Sequence, residues 1–258
     1  MAKTESEDNR MKTVSLILTT YNSSALLART LEGIERQDYP QIEVNIKDGG
    51  STDGTLKIIK EYKSASHNTV NWTSSSDNGI YDAMNQGYQL CTGDIIVFFN
   101  DLFLQKDAIS KMVNCLNANP ECIGAHADLV YATDEKVVRY WKMGPQKSLH
   151  LGWMPGHPTL FLKREIYEKY GLYNPEYRIA ADYEFMVRFL KDKENRLAYL
   201  PETIIRMYYG GASTSSTGSY LLSLKEGHKA LKDNGVKGAA LIDVLRTCRV
   251  LWQFVKTK

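Results

Sequence analysis

The stretch VSLILTT, residues 14–20, decides the fold class. It is almost continuously apolar, which is typical of a strand covered on both faces inside a parallel sheet. Ser23 or Ser24 can then cap a helix, and the apolar residues that follow recur at helical spacing: Leu26, Leu27, Leu31 and Ile34. A buried strand followed directly by an amphipathic helix predicts an α/β fold.

The alternation of strand and helix continues up to residue 101. Further strands are expected at residues 42–47, 69–73 and 94–99, the last being the most apolar. Helices are expected between them, beginning at Thr52 or Asp53 and at about residue 80. This rhythm predicts a mostly parallel open sheet flanked by helices, with ligands at the carboxyl ends of the strands.

The second half of the chain is less regular. Helices are expected over residues 107–116 and 179–190, and residues 124–131 and 137–141 are expected to form a pair of strands. Residues 210–219 are rich in Gly, Ser and Thr and predict a flexible loop.

Composition excludes several classes of protein. The 32 basic and 30 acidic residues give a net charge of +2, which argues against a globally basic nucleic-acid-binding protein. The four cysteines are irregularly spaced, and the first twelve residues contain no apolar signal sequence. We therefore expect a reducing, cytoplasmic location.

Polar clusters follow the strands, at the edge where ligands are expected. The Asp48 loop contains two glycines, which allow close approach of a ligand, and a carboxylate that can accept hydrogen bonds from a base or ribose; a turn with a helix cap explains it equally well. Asp77 and Asp82 cannot both cap one helix, and Asn85 shares a helical face with Asp82. Asp101 could bind a hard divalent cation or end an ordinary turn.

Four stretches together resemble glycosyltransferase family 2, the inverting nucleotide-sugar transferases of the GT-A fold. They are VSLILTTYNSSALLARTLEGI (14–34), IKDGGSTDGT (46–55), SDNGIYDAMNQGYQLCTGDIIVFFND (76–101) and PGHPTLFLKREIYEKYGLYNPEYRIAADYEFMVRFL (155–190). The third stretch is similar to members that build bacterial capsule, exopolysaccharide or O-antigen units. The resemblance implies the GT-A fold and transfer of a sugar from a nucleotide donor.

The resemblance also implies roles for individual positions. On the donor side, it implies that four residues surround a uridine: Thr20, Tyr21, Asn22 and Asp48. Asp77 would contact the base or ribose, and Asp82 and Asn85 would lie beside the diphosphate. Gly79 and Asn100 would belong to the same donor-binding loops. Asp101 would bind Mn²⁺ or Mg²⁺, and Asp182 would be the catalytic base. His157 would lie on the acceptor side.

One motif departs from the family pattern. Members typically show Asn-Ser/Ala-Asp-Asp after the buried strand, whereas this chain has Asn100-Asp101-Leu102-Phe103. Alignment from the strand side would put Leu102 and Phe103 at the acidic positions. Alignment from the following segment puts Asp101 on the last aspartate and shortens the loop. We prefer the second alignment because it keeps an apolar pair away from the diphosphate.

These features predict three regions. They are a disordered head (1–12), a GT-A domain (13–209) with a nucleotide-sugar-binding half (13–101) and an acceptor half (102–209), and a flexible loop with basic amphipathic helices (210–258). In the last region Leu241, Leu245, Cys248, Trp252 and Val255 recur at helical spacing, opposite Arg246, Arg249, Gln253 and Lys256. Such a helix can lie on an anionic membrane, pack on its own domain or join a second copy of the chain.

The expected function is inverting, metal-assisted transfer of a sugar from a UDP donor to a lipid-linked glycan acceptor at the inner face of a bacterial membrane. The alternative is a non-catalytic subunit that keeps the fold and supports a partner transferase.

Overall fold

The fold is that of a computed structural model, which describes residues 10–208 and 217–255. Within those ranges the strands are β1 (Val14–Thr20), β2 (Ile42–Asp48), β3 (Thr69–Ser74), β4 (Ile95–Phe98), β5 (Leu102–Phe103), β6 (Gly124–Ala132), β7 (Val137–Trp141), β8 (Phe161–Lys163) and β9 (Leu197–Tyr208). The helices are α1 (Ser24–Glu35), α2 (Thr55–Ala65), α3 (Ile80–Tyr88), α4 (Ala108–Asn117), α5 (Arg164–Tyr170), α6 (Ala181–Leu190), α7 (Thr217–Asp233) and α8 (Ala239–Val255).

One mixed sheet runs through the molecule in the order β3-β2-β1-β4-β8-β6-β9-β5, with β7 paired to β6. The strands β3, β2, β1 and β4 are all parallel. The antiparallel β8 links β4 to β6, and β9 runs parallel to β6. The parallel half confirms the predicted open α/β sheet, and β8 is the strand through which the acceptor half joins it.

Two hydrophobic clusters cover the two faces of this sheet. Leu16 belongs to one cluster, together with Leu31 of α1 and Met112 of α4. Its neighbour Ile17 belongs to the other, together with Phe185 of α6. Because successive side chains of a strand point to opposite faces, both faces of β1 must be apolar, which explains the unbroken apolar pattern of residues 14–20.

The elements after β4 differ most from the sequence expectation. The sequence pattern does not predict β5, β8, α5 or β9. The first helices, in contrast, are shifted only slightly: α2 begins at Thr55, where the Asp53 carboxylate accepts a hydrogen bond from the Thr55 backbone N–H at 2.9 Å. The predicted pair of strands corresponds to the antiparallel β6 and β7.

The C-terminal helices α7 and α8 form a hairpin on the acceptor half. His228 Nδ1 of α7 lies 2.6 Å from Asp243 Oδ2 of α8. The backbone of α8 rests on the loop at Gly152, where φ is +66° and an added Cβ would lie 2.5 Å from the Arg246 backbone nitrogen. Glycine is therefore required there both for its conformation and for the close approach of the helix.

Two sequence predictions fall partly outside the described residues. The predicted disordered head does so up to residue 9, and the predicted flexible loop (210–219) does so from 210 to 216. Residues 217–219 of that predicted loop belong instead to α7. In the described parts of the chain, no helix combines the length and apolar character needed to cross a bilayer.

Candidate active site

The carboxyl ends of β1, β2, β3 and β4 meet at one edge of the sheet, and backbone hydrogen bonds join the loops there. The Gly49 N–H donates to the Thr20 carbonyl at 2.8 Å, and the Ser75 N–H donates to the Asp48 carbonyl at 3.1 Å. The Asn100 amide accepts from the Thr19 backbone N–H at 3.0 Å and donates to its hydroxyl at 2.9 Å. Thr20, Asp48 and Asn100, three of the residues predicted to bind the donor, thus belong to one framework of hydrogen-bonded loops.

Asp48 organises its own loop. Its side chain is fully buried, and its oxygens accept hydrogen bonds from the backbone N–H groups of Gly50 and Ser51 and from the hydroxyls of Ser51 (2.5 Å) and Ser74 (2.6 Å). Burial raises the pKa of Asp48, but these hydrogen bonds outweigh it, and the pKa lies below its usual value. The carboxylate therefore shapes the loop rather than presenting a free oxygen to solvent.

Asn22 ties the first loop to the second. It adopts a left-handed φ of +46°, which Asn tolerates better than most residues. Its backbone N–H donates to the Ser51 hydroxyl at 2.8 Å, and its side-chain oxygen accepts from the Thr52 N–H at 2.9 Å. Tyr21 beside it is 62% exposed, so its ring is available to a ligand at this edge.

A buried cation, Lys47, lies beneath the loops. Its ammonium donates to the carbonyls of Asp48 (2.7 Å) and Ser75 (2.6 Å) and to Asp77 Oδ2 (3.2 Å). Gly49 completes the packing, since an added Cβ would lie 3.0 Å from Asp77 Oδ2 and 3.2 Å from Tyr21 Cδ2. Lys47 holds Asp77 in place, and the glycine lets the three loops come together.

The beginning of α3 carries the remaining predicted donor residues. Gly79 precedes the helix with φ +113°, and its N–H donates to Asp77 Oδ1 at 3.1 Å. Asp82 accepts from the Asn78 N–H at 2.9 Å, and this hydrogen bond, with that from Gln86, lowers its pKa. These contacts fix the turn that leads from β3 into α3.

Asn85 makes contacts that the resemblance does not imply. Its side-chain NH₂ donates to the Tyr173 carbonyl at 2.8 Å, and its side-chain oxygen accepts from the Tyr173 N–H at 3.0 Å. Both ends of the amide are therefore used to join α3 to the loop before α6. The amide keeps a second N–H and a second oxygen lone pair, so the position of Asn85 beside the diphosphate stays a prediction.

Asp101 follows the buried strand β4 and lies at the boundary between the two halves of the domain. Burial raises the pKa of Asp101 to about 7, and the backbone N–H of Tyr208 opposes this rise. Burial also raises the pKa of Tyr131, and the charges of Asp101 and Asp182 add to this effect while Arg139 opposes it. The charges of Asp101 and Asp182 therefore both disfavour ionisation of the Tyr131 hydroxyl.

A metal ion could use Asp101 only together with ligands from elsewhere. Among the described residues, no group of three or more His, Cys, Asp or Glu side chains is arranged to hold a metal. Mg²⁺ commonly takes one or two carboxylates and completes its shell with substrate phosphates and water. The single carboxylate of Asp101 fits that requirement.

The two apolar residues after Asp101 do not form a pair on one side of the chain. Phe103 stacks on Phe99, with ring centroids 4.1 Å apart and an angle of 14°, and packs against the hydrophobic core. Leu102 and Phe103 pair with Arg206 and Ile205 of β9. The segment is thus anchored as a short strand, and Phe103 is accounted for by the core.

Asp182 lies in the first turn of α6 and is oriented by a tyrosine. The Tyr81 hydroxyl lies 3.0 Å from Asp182 Oδ1 and 2.6 Å from the Ile179 carbonyl, and can donate to either. Burial, followed by the charge of Asp182, raises the pKa of Tyr81 far above its usual value. Tyr81 is the second residue of α3, so it links Asp182 directly to the helix that follows the Asp77 loop.

His157 packs within an aromatic cluster on the same side of the sheet. Its Nε2 lies 2.7 Å from the Tyr173 hydroxyl, and its ring stacks on Phe98 with centroids 5.9 Å apart. Burial lowers the pKa of His157, although the Asp182 charge opposes this. The ring is therefore held neutral at neutral pH.

Asp182, Tyr81 and His157 open onto a cavity of about 840 Å³ between the acceptor half and α8. Its walls include the aromatic rings of Tyr131, Trp141, Trp153 and Trp252 and the cations Lys142, Arg178, Arg246 and Arg249. Asp182 is the one acidic residue among the residues described as lining it. A cavity with apolar walls and a few polar groups is typical of a binding site for an organic molecule.

Sequence reasoning missed Lys47, Tyr81 and Tyr173. For Lys47 a signal existed, since a lysine in a strand that is otherwise buried on both faces needs internal partners. No such signal existed for Tyr81 and Tyr173, because their hydrogen bonds to Asp182 and Asn85 join residues far apart in the chain. The Tyr81–Asp182 hydrogen bond joins residues 101 positions apart, and the Tyr173–Asn85 hydrogen bond joins residues 88 positions apart.

The parallel sheet, the framework of loops at its edge and the adjoining cavity with one carboxylate define a nucleotide-sugar transferase of the GT-A fold. The family model "Glycosyl transferase family 2" matches residues 15–193. The chain therefore belongs to glycosyl transferase family 2 and is a glycosyltransferase.

Sequence relatives agree with this assignment. A PGL/p-HBAD biosynthesis glycosyltransferase of Mycobacterium bovis is 29% identical over 210 residues, which cover 78% of this chain and 79% of the relative. An uncharacterized glycosyltransferase of Mycobacterium tuberculosis is 30% identical over 182 residues, 68% of each chain.

Solved structures agree in fold. Residues 1–349 of Staphylococcus aureus TarS, in complex with UDP-GlcNAc, match with a TM-score of 0.71 at 17% identity, covering 95% of this chain and 76% of that one. The mannosyltransferase PcManGT of Pyrobaculum calidifontis, in complex with GDP-Man and Mn²⁺, matches with a TM-score of 0.65 at 17% identity, covering 97% and 77%.

Proposed function

We propose that this glycosyltransferase moves a sugar from a UDP donor to a lipid-linked glycan acceptor by direct displacement, with Asp182 as the general base. The observation that carries the proposal is the hydrogen bond between Tyr81 and Asp182. It brings a carboxylate that opens onto the cavity next to the helix that begins at the donor loops. A base so placed can act between a donor on one side and an acceptor on the other.

The donor would bind at the edge formed by the loops after β1, β2 and β3. The exposed ring of Tyr21 and the Asp77 carboxylate are the groups available for a base and ribose. Asp48, Asn22 and Asn100 would act by fixing the backbone around the ligand. The TarS complexes with UDP and UDP-GlcNAc, which share this fold, support a uridine nucleotide.

The chemistry is a single displacement. The acceptor hydroxyl oxygen forms a bond to the anomeric carbon while the bond from that carbon to the diphosphate oxygen breaks. The hydroxyl proton passes to Asp182, and UDP leaves with the bonding electrons. With one base and no covalent intermediate, the configuration at the anomeric carbon is inverted, by analogy with single-displacement glycosidases.

Asp101 would hold Mn²⁺ or Mg²⁺, and the remaining ligands would come from the donor diphosphate and water. When bound, such an ion supplies positive charge that stabilises the departing diphosphate. The complex of PcManGT with GDP-Man and Mn²⁺ supports this choice of cofactor.

The acceptor would enter the cavity beside α8. Its aromatic rings suit the faces of sugars and apolar groups, and the cations Lys142 and Arg178, which make no described ion pair, suit an acceptor that carries negative charge. We place the reaction at the inner face of a bacterial cell membrane, in the synthesis of a surface polysaccharide.

Asp182→Asn tests the catalytic role. The variant should lose about 10²- to 10⁴-fold in the rate of sugar transfer, since the amide cannot accept the proton. Glu165→Gln is the matched control, because Glu165 is an exposed carboxylate in the first turn of α5 and its loss has the same effect on the helix dipole. Equal transfer rates in the two variants would contradict the assignment.

Asp101→Asn tests the metal site without requiring turnover. In the unaltered chain, UDP should raise the melting temperature more in the presence of Mn²⁺ than in EDTA, because bound ligand stabilises the folded state. Asp101→Asn should abolish the Mn²⁺-dependent part of that shift. An undiminished Mn²⁺ effect in the variant would show that Asp101 is not the ligand, and no UDP effect at all would favour a non-catalytic scaffold.

A further inference from the structure

Helix α8 is turned with its charged side toward the protein. The Arg246 guanidinium packs against Gly227 and lies over the Tyr183 ring, 4.4 Å from its centroid. Asp243, the only acidic residue between 239 and 255, contacts both His228 and Arg246. Arg249 donates to the Leu151 carbonyl at 2.9 Å. The polar side of the helix is thus used for packing on its own domain.

The opposite side of α8 is apolar and exposed. We define this outer face as Leu241, Val244, Cys248, Leu251 and Trp252, which recur at helical spacing. Apart from Cys248, which is also exposed, these side chains are 58–63% exposed. A surface helix normally buries its apolar side and exposes its charges, so this orientation leaves a continuous apolar stripe without a covering element among the described residues.

The exposed charges of the α7–α8 hairpin are mainly positive. Between residues 218 and 253 the exposed charged side chains are Lys225, Lys229, Lys232 and Lys237 against Asp233 alone, and Asp233 pairs with Lys229. An exposed apolar helix face on a lysine-rich hairpin matches an anionic lipid surface, which attracts the cations and accepts the apolar groups. A symmetric contact between two copies would instead bring the two lysine-rich hairpins toward each other.

The outer face is continuous with the cavity. Cys248 and Trp252 belong to the outer face and also line the cavity that contains Asp182. Leu151, which is not part of the outer face, lines the same cavity and is 50% exposed. A surface that covered the outer face would therefore lie at one mouth of the cavity. An acceptor embedded in that surface could reach Asp182 without leaving it.

We propose that the outer face of α8 docks on an anionic membrane and opens the acceptor cavity toward the lipid. This deepens the proposed function and rests on it for the identity of the acceptor. The docking itself is measured without turnover.

The test compares two double variants of the full chain. V244E/L251E alters the outer face at positions that do not line the cavity, whereas M11E/L104E adds the same charge at exposed apolar positions elsewhere. The unaltered chain should sediment with phosphatidylcholine vesicles that contain phosphatidylglycerol, and more weakly in high salt or without the anionic lipid. V244E/L251E should bind at least about tenfold more weakly, and M11E/L104E should bind like the unaltered chain.

Three results would overturn the proposal. They are failure of the unaltered chain to bind these vesicles, equal binding by V244E/L251E, and a dimer in solution that V244E/L251E converts to a monomer, which would assign the outer face to a second copy. The Mn²⁺-dependent shift with UDP reports donor binding separately, so loss of docking and loss of the proposed function can be distinguished. If V244E/L251E does not fold, V244S/L251S, which adds no charge, replaces it.

Discussion

Two regions of the molecule are stabilised in different ways. One is the edge formed by the loops after β1, β2 and β3, which we propose binds the donor and call the donor edge. The other is the cavity that contains Asp182, which we propose binds the acceptor. At the donor edge, Asp48 accepts four hydrogen bonds and Lys47 donates three, all with partners at the ends of the parallel strands or in the loops that follow them. Beside the cavity, Asp182 is oriented by Tyr81 from a distant helix, and aromatic rings pack on one another.

This difference indicates a division of tasks. The donor edge is a polar framework whose shape is fixed before a ligand binds, and such preorganisation reduces the ordering cost of binding. The cavity is lined by aromatic rings, and Asp182, the proposed base, is the one acidic residue described as lining it. We expect changes at the donor edge to alter stability and donor affinity, and changes around the cavity to alter turnover.

Lys47→Met should give the largest effect on stability. It leaves two carbonyls and part of the Asp77 carboxylate without their buried donor, so the free energy of unfolding should fall by about 3 kcal/mol. UDP affinity should fall as well, because the Asp77 loop is released. Urea unfolding and thermal shift with UDP measure the two effects.

The control for this change is Lys142→Met. Lys142 lines the cavity, is exposed and makes no described ion pair, so its replacement should leave the free energy of unfolding nearly unchanged. If the two variants lost equal stability, the contrast between a fixed edge and an adaptable cavity would be wrong.

Ser51→Ala should destabilise the donor edge in a pH-dependent way. Ser51 donates to Asp48 and accepts from the Asn22 N–H, and losing both hydrogen bonds should cost about 2 kcal/mol at neutral pH. Because the folded-state pKa of Asp48 is lowered, its contribution is present above its unfolded pKa and is lost as the pH falls through the folded pKa. The difference between variant and parent should therefore shrink below about pH 4.

Urea unfolding at neutral and acidic pH measures this difference. Ser23→Ala is the control, since the Ser23 hydroxyl donates to the Tyr21 carbonyl and to no carboxylate. Its effect should not depend on pH. A Ser51→Ala effect that is equally independent of pH would mean that Asp48 is not stabilised through this hydroxyl.

Of the three substitutions, Tyr81→Phe should give the smallest effect. We expect that effect on the activation free energy of sugar transfer. Loss of the hydroxyl that orients Asp182 should lower kcat about tenfold, equivalent to about 1.4 kcal/mol. The KM for the donor should stay the same, because the donor loops are unaltered. Steady-state kinetics separate the two parameters, and a rise in donor KM with unchanged kcat would make Tyr81 part of the donor edge instead.

The sequence predicted the donor half well because its signals are local. Strand and helix periods, the Asp53 turn and the polar residues at the strand ends all depend on neighbouring positions, and the structure has β1 at residues 14–20 as expected. The roles of individual donor and catalytic residues remain predictions, including that of Asn85, whose amide also joins α3 to Tyr173.

The acceptor half was predicted less well because its order depends on distant contacts. The strand β9 contains Pro201 and follows no simple alternation of burial, and its position is fixed by pairing with β6. The direction of α8 is a second example. Its amphipathic pattern was evident, but only packing against α7 and Gly152 determines that the charged side faces inward.

The contact between Gly152 and the backbone of α8 places the proposed acceptor site partly on an element far along the chain from the proposed donor loops. The donor loops lie before residue 101, whereas one wall of the cavity comes from a helix beyond residue 193, where the family match ends. If α8 lines the acceptor site as proposed, exchanging this one helix should change the accepted glycan and leave the choice of nucleotide untouched.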